Sequence, residues 1–371
     1  MRGRDSGAMN GAMSVTPEVS RLPLAPWLVR IPAIFEGIAP EILASVGAVS
    51  TKRLGQEYCW IRTPNPDAIR DSGGGIFVRW NLPIEHAWPC QPAKIEGFIE
   101  KAAQTLKTKF GDRAPQGVFV GPLHPTSPDR YFRHLAANLR GRLVLLFPDL
   151  PAKTVEEQEP DRETLFVLVG KEGLYAGMAT PRSANGFYPG GSRYIAQHEP
   201  DTISRAGAKI AEALHYLRLH RPPLAAGSHW LELGACPGGM TSELLARGQR
   251  VTAIDRAPLD PRLAGKSGLT FVHDDVARFV PPAGLSYDAL LDDMNGPPEE
   301  SIAQVIRLSR FLKEGGLVVF TLKLPRIESI GEPLALLRET IDTAGRSGLR
   351  LTAKTHLTYN RHEFTLFFER C

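Results

Sequence analysis

Leu231-Glu-Leu-Gly-Ala-Cys-Pro-Gly-Gly-Met-Thr241 decides the fold of this chain. Trp230 to Leu233 reads as a buried strand. Gly234, Gly238 and Gly239 make a tight turn that Pro237 stiffens, and a helix starts at about Met240. Glycine permits positive φ and lets a ligand approach the backbone. Taken alone, such a loop fits any strand-to-helix turn. Its spacing is Gly-x-x-x-Gly-Gly, whereas dinucleotide sites use Gly-x-Gly-x-x-Gly and P-loops end in Gly-Lys-[Ser/Thr].

Strand and helix alternate from there to the end of the chain. Strands are expected at Val251–Asp255, Leu269–Val272, Tyr287–Asp293, Gly316–Lys323, Leu351–Lys354 and Phe364–Phe368. Helices are expected at 206–219, before the first strand, and at 301–312 and 333–344. This pattern predicts an α/β, Rossmann-like, doubly wound and mostly parallel sheet. Ligands of such sheets bind at the carboxyl ends of the strands. There the sequence sets Glu232, Asp255, the pair Asp274-Asp275, and Asp293. Asp255 suits the two hydroxyls of a ribose, one of the Asp274-Asp275 pair an adenine amino group, and Asp293 a methionine moiety. Four carboxylates at one edge favour a cation. S-adenosylmethionine (SAM), a sulfonium with an ammonium group, fits; the pyrophosphate of NAD would be repelled.

Four more polar residues belong near that edge: Lys209 on the preceding helix, Asp293, Lys323 after an apolar strand, and Glu363 in Arg361-His-Glu-Phe364. A ribose hydroxyl is a weak acid and must lose its proton as it attacks a methyl carbon in line with the leaving sulfur. A lysine accepts that proton only when its pKa is depressed. The second lysine and the sulfonium depress it, while the carboxylates raise it. We therefore read Lys323 as base or activator, Lys209 as orienting the hydroxyl, and Asp293 and Glu363 as positioning both lysines.

With these residues in view, the chain resembles the FtsJ-like methyltransferases. Leu-Gly-Ala-Cys-Pro-Gly-Gly, Val-Thr-Ala-Ile-Asp255, Asp292-Asp-Met294 and Leu322-Lys-Leu-Pro325 carry the likeness. Ser204-Arg-Ala-Gly-Ala-Lys209 and Arg361-His-Glu363 match the RlmM type in particular, which methylates a cytidine ribose 2′-oxygen of bacterial 23S rRNA. The resemblance implies SAM contacts at Ser204, Glu232, Gly234, Cys236, Pro237, Gly238, Gly239, Asp255, Asp275 and Asp293, with S-adenosylhomocysteine as product and catalysis at Lys323. It also implies the partner, 23S rRNA or a large-subunit precursor. Met240 stands where the family has Trp, and Ala206 where it has a cofactor-contacting Ser, a contact that is lost or moves to Ser204.

Upstream, Gly173 to Tyr188 resembles the end of a THUMP region, an RNA-binding module. The implied division is a flexible N-terminus (1–25), a ferredoxin-like linker domain (26–85), a THUMP-like domain (86–198) and the methyltransferase domain (199–371), with a polar linker near Gln197–Thr202. Within the first part, helices are expected at 40–46, 95–109 and 131–139, and strands at 58–62, 75–80, 117–120, 143–147 and 164–169. Candidate RNA contacts are Arg130 and Arg133, with Arg140, Arg142, Tyr131 and Phe132 beside them. A second group is Arg182 and Arg193, with Asn185, Phe187, Tyr188 and Tyr194. Arginine and aromatic side chains suit phosphates and stacked bases.

Composition sets the outer bounds. Of 371 residues, 43% are hydrophobic and 23% charged, with net charge +4. Those values fit a globular protein and are compatible with nucleic acid. Cys59, Cys90, Cys236 and Cys371 are scattered, which gives neither a metal-ligand spacing nor a disulfide framework and points to the cytoplasm. No stretch approaches the roughly 20 apolar residues of a membrane span. The rival readings are a SAM methyltransferase acting on another RNA, one acting on a protein or small molecule, which would not need both lysines and Glu363 together, and a catalytically silent RNA-binding homologue.

Overall fold

The computed structural model describes residues 23–124, 127, 130–192, 195, 202–325 and 327–371. The start of the N-terminal segment, most of the Gln197–Thr202 run, Arg193 and Tyr194 lie outside the described residues. The described strands form three sheets.

Strands β1 (Ala25–Arg30), β2 (Ser50–Leu54), β3 (Tyr58–Thr63) and β4 (Trp80–Pro83) pair antiparallel in the order β2-β3-β1-β4. Helix α1 (Ala39–Ser45) joins β1 to β2, and α2 (Ala68–Asp71) lies between β3 and β4. β2 is an edge strand whose Ser50, Thr51, Lys52 and Arg53 are exposed, a polar edge that discourages further pairing. The expected strand at 75–80 is instead a 3-10 turn over Gly73–Phe77, with pairing beginning at Trp80. Backbone crowding explains this: a Cβ on Gly75 would lie 2.7 Å from the carbonyl oxygens of Ile69 and Arg70.

Strands β5 (His86–Trp88), β6 (Val118–Pro122), β7 (Thr164–Gly170) and β8 (Gly173–Ala179) form the second sheet, ordered β5-β8-β7-β6. Helices α3 (Phe98–Phe110) and α4 (Tyr131–Leu146) cover one face through Phe98, Leu106, Leu135 and Leu139. The first sheet covers the other face, with Leu28, Trp80 and Leu82 packed on Phe166 and Leu168. β7 is buried throughout, as its unbroken apolar run requires. The strand expected at 143–147 is absent, because α4 continues to Leu146. β6 and β7 are parallel neighbours and need a long crossover. Helical spacing then buries Leu135, Leu139 and Leu143 together and leaves Leu145 71% exposed.

After α5 (Pro181–Ala184) and α6 (Ala206–Leu217) comes the third sheet. Its strands are β9 (His229–Leu233), β10 (Arg250–Asp255), β11 (Leu269–His273), β12 (Tyr287–Asp292), β13 (Leu312–Lys323), β14 (Leu349–Thr355) and β15 (Glu363–Arg370), with helices α7 (Gly239–Ala246), α8 (Pro298–Ser309) and α9 (Gly331–Arg346) between them. The order is β11-β10-β9-β12-β13-β15-β14. The pairs joining β11 through to β13 are parallel, and β15 runs antiparallel to both neighbours. This is the doubly wound Rossmann-like sheet that the alternating pattern predicts. The strand order reverses beside β9, between its neighbours β10 and β12, where such sheets open a crevice. One face packs Leu231, Leu290, Phe320 and Phe364 against α8, α9 and Phe35 and Phe77 of the first module. The other packs Trp230, Leu291 and Val319 against α6 and α7. Among the described residues no helix is long and apolar enough to cross a membrane.

Candidate active site

A cavity of about 510 Å³ opens at the carboxyl ends of β9, β10 and β12. The glycine turn forms its floor. Gly234 has φ +70°, and a Cβ there would meet the Met294 Cα at 3.1 Å. Gly238 has φ +103° and precedes α7, with the Leu263 side chain where its Cβ would go. The Cys236–Pro237 peptide is cis.

The strand-end carboxylates are held mostly by neutral donors. Asp255 accepts backbone N–H groups of Cys236 and Ala257, both at 2.8 Å. Asp275 accepts the Ala277 N–H at 2.9 Å, and the Arg256 guanidinium stands 3.8 Å away. Its neighbour Asp274 turns to Arg278 and stays off the cavity wall. Glu232 is buried and accepts the Thr241 hydroxyl at 2.7 Å. Burial, with the Asp293 charge adding to it, pushes the Glu232 carboxyl up to about 8.

Of the residues singled out from sequence, Glu232, Gly234, Cys236, Pro237, Gly239, Asp255, Asp275 and Asp293 line this cavity, as do Ala206 and Met240. Gly238 and Ser204 stand behind the wall. The Ser204 Oγ is buried against Gly239, without a hydrogen-bond partner among the described residues. Sequence reasoning missed Glu300, Ser301 and Gln304, which line the cavity from the start of α8. The Pro297-Pro298 helix start and their i, i+1, i+4 spacing on one helical face were the available signal. The donor set fits a nucleoside bearing positive charge. Ribose hydroxyls would find the Asp255 carboxylate, an amino group Asp275, and a sulfonium and ammonium the Glu232–Asp293 side. Among the described residues no group of His, Cys, Asp and Glu is arranged to hold a metal ion.

Against this cavity stands a closed ring of four charges. Lys209 Nζ, on α6, lies 2.9 and 3.0 Å from the two Asp293 oxygens and 2.6 Å from Glu363 Oε1. Lys323 Nζ, at the end of β13, lies 2.8 Å from Asp293 Oδ1 and 2.7 Å from Glu363 Oε2. Cation and anion alternate, and all four side chains are at least three-quarters buried. Antiparallel pairing sets Lys323 directly opposite Glu363. Burial pushes the Lys323 ammonium down, but Asp293 and Glu363 outweigh it and raise its pKa. In the ring as built, the carboxylates win the contest that sequence left open.

The basic clusters differ from each other. Arg130 and Arg133 are exposed at the start of α4. Arg140 turns inward to the Val118 carbonyl and lies over the Phe119 ring, and Arg142 pairs with Glu100. In the second group Arg182 is taken up by Asp161 through bonds of 2.6 and 2.8 Å. Asn185 binds the Arg79 carbonyl and the Tyr216 hydroxyl, and Phe187 is buried. Asn185 and Phe187 thus belong to internal structure, while the Arg182–Asp161 pair stays at the surface.

No family model matches the sequence. The chain is 36% identical over 169 residues to the Ribosomal RNA large subunit methyltransferase M of Halorhodospira halophila, covering 45% of this chain and 47% of that one. With the protein of that name from Pectobacterium atrosepticum it shares 33% identity over 223 residues, 57% and 58% of the two chains. With that of Serratia proteamaculans it shares 31% over 204 residues, 53% of each. The chain thus spans about half the length of the curated relatives it matches. Among solved structures, Aeropyrum pernix fibrillarin in complex with natively bound S-adenosyl-L-methionine superposes with a TM-score of 0.36 and 19% identity, over 59% of this chain and 85% of that one. TrmN from Thermus thermophilus gives 0.37 and 17%, over 93% and 100%. Those superpositions are too loose to add to the sequence relation. Over about half its length, then, the chain is a homologue of the Ribosomal RNA large subunit methyltransferase M proteins, the group its motifs resemble.

Proposed function

We propose that the chain is a SAM-dependent methyltransferase of large-subunit ribosomal RNA, acting on a ribose 2′-hydroxyl, with a cytidine of 23S rRNA as the first candidate. Asp293 carries the reading: it lines the cavity and bonds to both lysines of the ring. A nucleophile held at the ring would therefore lie beside whatever occupies the cavity. SAM, when bound, supplies a methyl group activated by a sulfonium.

The chain's own residues do the rest. Glu232, Asp255, Asp275 and Asp293 favour the cation and orient it. Lys209 and Lys323, each paired with both carboxylates, donate to the attacking oxygen and stabilise the charge that grows on it. The hydroxyl proton passes to a carboxylate oxygen of Asp293 or Glu363, the acceptors of the ring, as the carbon–oxygen bond forms and the carbon–sulfur bond breaks. With Lys323 raised rather than lowered in pKa, activation by the ammonium is favoured over a resting neutral amine. The β-α-β-β-α-β order of residues 25–83 supports a ferredoxin-like module there. We read residues 86–198 as the THUMP-like part, with Arg130 and Arg133 among its RNA contacts. The target nucleotide must be unpaired or extruded for its hydroxyl to reach the ring.

The test is labelled SAM with ribosomal RNA from a strain lacking the gene, followed by mapping. The expected product is one alkali-resistant linkage in the large-subunit RNA. A methylated base, or no label in any ribosomal RNA, would overturn the proposal.

A further inference from the structure

A single buried acid, part of neither the ring nor the cavity, joins the elements that carry two members of the ring, Lys209 and Glu363. Glu212 lies one turn beyond Lys209 on α6 and is 1% exposed. Its carboxylate accepts the Thr358 backbone N–H at 2.8 Å and the Thr358 hydroxyl at 2.7 Å. Thr358 sits in the loop that leads from β14 into Glu363. Glu212 therefore ties the helix that carries one lysine to the loop that delivers one carboxylate.

The countercharge comes from the N-terminal part of the chain. Arg79, next to β4, sends Nη2 to Glu212 Oε1 at 2.6 Å and is 3% exposed. Its Nε and Nη1 have no hydrogen-bond partner among the described residues, so Glu212 is the one acceptor its guanidinium meets there. The same module touches the same loop again, where the Phe35 ring meets His356 edge-on at 4.8 Å. Among the described residues no hydrogen bond or ion pair joins Arg79 to the ring. An uncompensated carboxylate in this position would have to move, take a proton or draw in water, and each response shifts α6 against the loop.

We propose that Arg79 is a positioning residue for methyl transfer. Through Glu212 and Thr358 it holds Lys209 and Glu363 in register, so the N-terminal module sets the rate as well as any RNA affinity. This rests on the methyltransferase reading above. A displacement of about 1 Å at reacting groups costs on the order of 100-fold in rate.

The experiment compares the full-length protein with R79M, R79K and R79M/E212Q. In R79M, kcat is expected to fall about 10- to 100-fold, while the KM for RNA and the Kd for SAM stay within about threefold. Lifting the stranded charge in R79M/E212Q, or restoring a cation in R79K, is expected to return at least part of the rate. A raised KM for RNA with unchanged kcat would make Arg79 an RNA contact and overturn the proposal, and so would an unchanged kcat. Hydrogen exchange gives a readout that needs no turnover: in R79M, peptides spanning 206–214 and 356–363 should exchange faster, with the glycine turn at 234–239 unchanged. If R79M does not fold, E212Q alone is read the same way, and wild-type kcat and exchange in it would overturn the proposal. If wild type methylates no RNA, the methyltransferase reading fails, and exchange alone decides whether the brace exists.

Discussion

The cavity and the ring share Asp293 yet handle buried charge in opposite ways. In the cavity, Asp255 is held by two backbone N–H groups and Asp275 by one. Dipoles of that kind stabilise a carboxylate without cancelling its charge, so the cavity keeps a negative potential and favours a cation. In the ring, every carboxylate meets two ammonium groups and every ammonium two carboxylates. Nothing net is left to attract a ligand, and what the ring offers is direction. Affinity should therefore follow the cavity and rate the ring.

The sharpest way to break this division is Lys323→Met. Turnover should fall by roughly 100- to 10,000-fold, the range for a positioned acid–base group, while SAM affinity by calorimetry stays within about threefold. An equal loss of both would mean that the two sites are one.

A smaller effect tests the loop behind the ring. Burial pushes the His356 imidazole down to about 4 from its ordinary 6.5. The unfolded chain then binds the proton more readily, so stability is full above about 6.5 and drains as pH falls toward 4. Unfolding free energy should drop by about 2 kcal/mol from this group between pH 7 and pH 5, and H356Q should shrink that drop.

On the cavity side, Asp255→Asn should weaken SAM binding about tenfold, the worth of a charge-assisted hydrogen bond. Turnover at saturating SAM should change little. The smallest signal is a proton. Glu232, raised to about 8, is mostly neutral at pH 7, and a bound cation favours its ionised form. SAM binding at pH 7 should release up to about one proton, visible as buffer-dependent binding heats, and E232Q should remove that share.

What could be read in advance follows how local the cause is. The glycine turn and the strand-end aspartates are written in contiguous residues whose periodicity fixes their end of the sheet. The four ring residues could be named from residue type and family pattern, but their alternation could not, because it depends on the register of β13 with β15 and on where α6 packs. Glu300, Ser301 and Gln304 share a face of a helix whose start Pro297-Pro298 marks, but only the packing of α8 brings that face over the crevice. Leu143–Phe147 misled because an apolar run suits strand and buried helix equally, and the parallel β6–β7 pair decided between them. The ion pair of Arg182 could not be read locally, because its partner Asp161 lies outside its own sequence window.

One reversed strand has a consequence for how the chain can vary. In a wholly parallel sheet, the open edge receives only residues that finish strands. β15 runs the other way, so it delivers a residue that begins one, and Glu363 arrives opposite Lys323. Strand side chains alternate faces, so inserting or deleting one residue in the β14–β15 loop and shifting the pairing by one would turn Glu363 away and expose Phe364 in its place. The length of that loop is therefore under the same constraint as the identity of a catalytic side chain: a frame-preserving indel there should be as damaging as a point change in the ring.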